Sequence, residues 1–123
     1  MTEMLKRLRD KKVPVAIYYK SVGGFCAGFV RETDDEFALL ELISPSGRFD
    51  GYLCIRIEEI LKLDVGTAYL NNLVKVYRHY GEEPLPIKVS SRDVLREFTD
   101  VVIKNKWMCT MAVSYTHLRA HET

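Results

Sequence analysis

A chain of 123 residues with 47% hydrophobic residues, 28% charged residues and a formal net charge of +1 has the composition of a soluble globular protein, with room for one ordinary domain or a small one plus part of another. It contains no apolar run of bilayer-spanning length and no charged leader before an apolar stretch, which points to a cytoplasmic protein. Its cysteines, Cys26, Cys54 and Cys109, are odd in number and lack metal-ligand spacing, so they read as reduced thiols behaving as small apolar residues.

Charge is unevenly spread. Residues 1–12 hold five Lys and Arg against two Asp and Glu, residues 13–64 five against nine, and residues 65–111 seven against five. The middle segment, at −4, has the wrong sign for a surface that binds phosphates by releasing counterions.

In chain order, residues 2–11 predict a short helix with Met4, Leu5 and Leu8 on one side, Glu3 in its first turn and Lys11-Lys12 at its end, where they oppose the macrodipole. Alternating apolar residues then run through Val13, Val15, Ile17 and Tyr19, through Phe25, Ala27 and Phe29, through Phe37, Leu39, Glu41 and Ile43, and through Leu53, Ile55 and Ile57. A period of two means strands with one buried face. Gly23-Gly24, Asp34-Asp35 and Pro45-Ser46-Gly47 separate them with turn chemistry. Pro14 marks the start of the first strand and Gly28 lets the second bend. The third strand is apolar on both faces and needs cover on its second side. Tyr52 to Glu58 predicts the fourth strand, after a loop with an exposed Phe49, and Ile60 to Leu63 a short fifth. Val15, Ile17, Phe29, Leu39, Ile55 and Ile57 are expected inside.

Beyond Gly66 the period becomes helical. Thr67 caps a helix to about Tyr80, whose stripe of Leu70, Leu73, Val74 and Tyr77 is expected to pack on the open end of the barrel. Pro84 and Pro86 lie in a linker, 81–90, and a further helix capped by Ser90 or Ser91 runs to about Asp100 with Val94, Leu95, Phe98 and Val101 buried. Lys104-Asn105-Lys106 before Trp107 to Met111 echoes the helix, turn and strand order of Leu5 to Tyr19, consistent with a second barrel starting there or with chance. The expected organisation is a small barrel with its helices over 1–80, a linker over 81–90, the truncated start of a possible second barrel over 91–112, and a tail over 113–123.

The segments VAIYYKSVGGFCAGFV, DDEFALLEL and GYLCIRIEEILKL together resemble the Sm-like fold of Sm, LSm and Hfq proteins. Asp50-Gly51-Tyr52 and Gly66-Thr67-Ala68-Tyr69 are most similar to bacterial Sm-like proteins of unknown role. The resemblance implies a mainly β chain with flanking helices: a five-stranded antiparallel SH3-like barrel, then a helix, a linker and the start of a possible second barrel. It also implies RNA binding, in which Phe37 would stack on a base and Arg56 would supply the guanidinium of an Arg-Gly clamp. Ala38, Leu39 and Leu40 offer no hydrogen bond to that base, and Ile57 stands where the clamp has Gly. The tail VSYTHLRAHET resembles translated read-through of a sequencing-library adapter, so the i, i+4 pair His117 and His121 is set aside as a metal site.

Catalytic chemistry finds no footing. His79 sits on the amphipathic helix with no Cys or carboxylate at a recognisable offset, Asp34, Asp35 and Glu36 lack the ligand spacing of a cation loop, and Gly23-Gly24 lacks the Lys-Ser of a phosphate loop. The reading is a non-enzymatic small-barrel interaction or regulatory module without cofactor, metal or membrane attachment, binding a protein partner or a second copy of itself. The alternative is an Sm-like RNA-binding protein using Phe37 and Arg56, and a small enzyme is disfavoured.

Overall fold

The computed structural model describes residues 1–20 and 24–107. The elements in order are α1 (Thr2–Lys11), β1 (Val15–Tyr19), β2 (Phe25–Thr33), β3 (Phe37–Ile43), β4 (Phe49–Arg56), a 3-10 turn (Ile57–Glu59), β5 (Ile60–Asp64), α2 (Ala68–Tyr80) and α3 (Val94–Lys104). All pairings are antiparallel and make one open five-stranded sheet in the order β4-β3-β2-β1-β5. Among the described residues the protein is thus mainly β with three α-helices.

β4 and β5 are the two edges of this sheet, and among the described residues no ladder joins them. Yet the chain passes from one to the other through Ile57–Glu59 alone. Four strand spacings in a flat sheet would separate the edges by about 19 Å, whereas four residue steps reach at most about 14 Å. The sheet must therefore curl until the end of β4 lies near the start of β5. Register shifts between Val30 and Glu32, Glu41 and Ile43, and Tyr18 and Tyr19 mark where the ladders bend. Gly28 makes the tightest approach: a Cβ there would lie 1.9 Å from the Glu41 carbonyl oxygen.

Register decides which face each residue takes. Val15 pairs with Gly28, Ile17 with Cys26, and Val30 with Leu40, and cross-strand partners share a face. The inner core accordingly holds Val15, Ile17, Val30, Ala38, Leu40, Ile55 and Ile60, closed by Leu5 and Leu8 of α1. Phe29 and Leu39, expected inside, lie on the opposite face. Alternation gives relative sidedness within a strand but not which side of a doubly apolar strand meets its neighbours' core. Ile57 is half-buried against the inner core from the 3-10 turn, and Met4, expected on the packed side of α1, is exposed.

The opposite face carries the other two helices. Leu70, Leu73, Val74 and Tyr77 of α2 are buried against Ala16, Ala27 and Ile43. The stripe is the expected one, but α2 lies across the sheet and not over an open end, because Phe29, Tyr18 and Phe49 offer it an apolar surface. Thr67 Oγ1 accepts from Leu70 N–H at 3.1 Å, and Gly81, with φ of 62°, ends the helix. β4 begins at Phe49, earlier than Tyr52, and Phe49 is half-buried under α2. Residues 82–93 form no regular element, and Ile87 and Val89 pack beside α3. The cap of α3 is Asp93, whose side chain accepts from Arg96 N–H. Of its four expected buried residues, Val94 and Phe98 are buried, Val101 is half-buried and Leu95 is exposed. Trp107 belongs to no strand, and residues 108–123, with Cys109, His117 and His121, lie outside the described residues.

Candidate functional site

Phe37 and Arg56, far apart in sequence, are cross-strand partners at the ends of β3 and β4. The Arg56 guanidinium lies 5.1 Å from the Phe37 ring centroid, and its Nε is 3.7 Å from Glu58. This pair is nevertheless engaged. Phe37 is half-buried in the cluster that α3 covers, while Ala38 and Leu40 fill the inner core and Leu39 lies under α3. No side chain in Ala38, Leu39 or Leu40 can read a base edge.

The acidic turn beside it is better organised than a solvated loop. Asp34 Oδ1 accepts from Glu36 N–H at 2.8 Å and from Phe37 N–H at 2.7 Å, while Oδ2 accepts from Val94 N–H at 2.8 Å. One carboxylate thus closes the β2–β3 turn and receives the first N–H of α3. Burial pushes the Asp34 carboxyl up, but the N–H groups of Val94, Phe37 and Glu36 outweigh it and hold it below the ordinary value. An open cleft lined by Lys6, Asp34, Asp35, Phe37, Arg92 and Asp93 runs between this turn and α3.

The densest polar arrangement was not singled out by the sequence. Glu41, 8% exposed, sits in the middle of β3 on the helix-covered face. Its Oε1 accepts from Arg31 at 2.7 Å and its Oε2 from the Tyr77 hydroxyl at 2.8 Å. Arg31 also reaches the Tyr52 hydroxyl at 3.4 Å, and that hydroxyl donates to the Leu85 carbonyl at 2.6 Å. Trp107 stacks on Tyr52 at 6.2 Å with planes 13° apart. Burial pulls the Arg31 guanidinium down, but Glu41 and Tyr52 more than restore it, leaving it above its ordinary value. Burial, then the bond to Glu41, raises the Tyr77 phenol well above the usual range, and burial is the main cause of a rise at Tyr52. Glu41 was visible as the one charge in FALLELI, and a charge in a strand apolar on both faces must find a partner or not be buried at all. Both its oxygens accept hydrogen bonds, so the cluster pins α2 to the sheet.

The remaining chemical candidates are quiet. Burial pushes the Cys26 thiol up to about 11, away from thiolate reactivity. His79 is exposed on α2 and touches the Tyr80 ring. Among the described residues no three His, Cys, Asp or Glu side chains converge as a metal-holding group, and no helix is long and apolar enough to cross a membrane. Compared with known protein families, with curated proteins and with solved structures, the chain matches none.

Proposed function

We propose that this protein is a non-enzymatic interaction module built on an incompletely closed, Sm-like small barrel, and that it works by adding a strand from a protein partner, a second copy of the chain in the simplest case. The observation that carries this reading is the pair of sheet edges, β4 and β5, which pair with no further strand among the described residues. A free edge is a row of N–H and C=O groups ready for another chain's backbone. β5 adds an apolar side chain to its edge, since Leu61 is 63% exposed. An antiparallel β4 from one copy against β5 of the next would satisfy both edges at once, a head-to-tail contact that closes into a ring or extends into a fibre according to its rotation. The chain order of helix, five strands and 3-10 turn supports the Sm-like reading, and the strong curl of the sheet agrees with it.

The test is concentration-dependent amide hydrogen exchange alongside light scattering. Exchange at residues 49–56 and 60–64 should slow as the protein associates, with β2 unchanged. A chain that stays monomeric up to about 1 mM, an association weaker than about 4 kcal/mol, with unchanged exchange at both edges, would refute self-pairing.

RNA binding is the second reading, favoured by the Phe37 and Arg56 pairing across β3 and β4. The net charge of residues 13–64 and the engagement of Phe37 beneath α3 oppose it. Fluorescence anisotropy with single-stranded RNA at low salt should show weak or no binding. Submicromolar binding abolished by Arg56→Ala would make this the better reading.

A further inference from the structure

The face of β3 and β4 beneath α3 is apolar. Leu39 is 1% exposed there, and Phe37, Tyr52 and Cys54 pack around Val94 and Phe98. What covers that face is lightly held. α3 buries two side chains where α2 buries four, and its Leu95 and Ile103 are exposed. It is reached through residues 82–93, which form no helix or strand. Its polar ties to the sheet include Asp34 to Val94 N–H, Tyr52 to the Leu85 carbonyl, and Glu82 with both Arg48 and the Phe49 N–H. A segment with few buried apolar contacts and a long irregular approach opens at a lower free energy than the core beneath it. The chain also states what fits the uncovered face. The resident is an amphipathic helix presenting an aliphatic residue, an aromatic one four positions later, and a first N–H aimed at the Asp34 carboxylate. An amphipathic helix in an apolar groove, anchored at i and i+4, is a recurrent mode of recognition.

We infer that the β3–β4 face is a helix-docking surface held in cis by α3, that residues 82–107 detach from it as one strap while the rest of the fold stays intact, and that an amphipathic helix of the same pattern from another molecule takes the vacated place. This surface is separate from the sheet edges, so its failure would leave the strand-addition reading standing. The two helices compete for one groove, so the strap acts as a built-in inhibitor of partner binding.

Two cysteines report on the two faces: Cys54 packs beneath α3, whereas Cys26 packs against the inner core on the other side. In the full chain carrying Cys109→Ser, native-state thiol labelling read by mass spectrometry follows each separately. Phe98→Ala should speed labelling of Cys54 by about tenfold while leaving Cys26 unchanged. A peptide of residues 90–107 added to that variant should restore protection of Cys54, and the same peptide carrying Phe98→Ala should not. Unchanged labelling of Cys54, or equal protection by both peptides, would overturn the inference. Should Phe98→Ala unfold the whole chain, Trp107→Ala removes the stack on Tyr52; it should still favour Cys54, and equal acceleration of both thiols in it would overturn the inference.

Discussion

Gly28→Ala is the sharpest perturbation the fold offers, because everything its new methyl would meet is backbone. The Cβ would lie 1.9 Å from the Glu41 carbonyl oxygen, 2.9 Å from its carbon and 3.1 Å from Leu42 Cα. No rotamer change relieves such an overlap; β2 and β3 must part by more than an ångström where Gly28 pairs with Leu42. Overpacking a core typically costs about 1–3 kcal/mol when side chains can shift, so a rigid clash should cost about 3–4 kcal/mol. That is a large part of the total stability of an ordinary domain and would lower the melting temperature by about 10–15 °C. Urea unfolding followed by circular dichroism is the assay. Gly24→Ala is the control, since a Cβ there meets nothing within 4 Å and should change stability by less than about 0.5 kcal/mol. Equal midpoints for the two variants would show that β2 and β3 do not approach as described.

Ile17→Ala, at a residue 1% exposed in the inner core, should cost about 2–5 kcal/mol in the same assay, and an unchanged midpoint would remove it from the core. Asp34→Ala strands three N–H groups and should cost about 2–3 kcal/mol at neutral pH. Because the folded Asp34 carboxyl titrates below its ordinary 3.8, its contribution is present above that value and fades as pH falls through the lower folded one, so wild type and variant should converge in acid urea melts. Tyr77→Phe leaves Glu41 Oε2 without its partner and should cost about 1–2 kcal/mol. The raised Tyr77 phenol contributes fully below its ordinary 10.0 and less as pH climbs above it, so the variant should show a flatter alkaline stability profile than wild type.

What the sequence made legible was whatever local chemistry controls. The bounds of α1, the Thr67 cap and the buried stripe of α2 follow from propensity, capping and a period near 3.6, all of which act within a few residues. The five strands likewise follow from alternation and turn residues. Long-range pairing decided the rest. Phe29 and Leu39 face the helices because Gly28 pairs with Val15 and Leu40 with Val30, a register no single strand encodes. The same limit applied to the site. Phe37 and Arg56 were named for their types and their adjacency came from the ladder, while Asp34 read as turn chemistry alone because its third partner, Val94 N–H, comes from sixty positions away.

Glu41 shows how such long-range choices give the helix-covered face its layout. The two apolar clusters there, one under α2 and one under α3, share a sheet but are separate, and the row of Arg31, Glu41, Tyr77 and Tyr52 is the polar matter around them. A buried ion pair contributes little net stability compared with a well-packed apolar replacement, yet removing one partner is costly because the other stays buried and charged. Its value here is positional. Tyr77 can satisfy Glu41 only when α2 lies in one rotational setting, which fixes the helix over Ala16, Ala27 and Ile43. Tyr52 spends its hydroxyl on the Leu85 carbonyl, so the same network reaches the strap through one neutral hydrogen bond in place of a charged one. α2 is therefore locked to the sheet by buried apolar area and a charged acceptor together, whereas α3 relies on two fully buried side chains, the partly buried Val102 and the caps at its start. The two helices share one face of the protein, and this unequal anchoring makes one a fixed wall of the fold and the other its releasable cover.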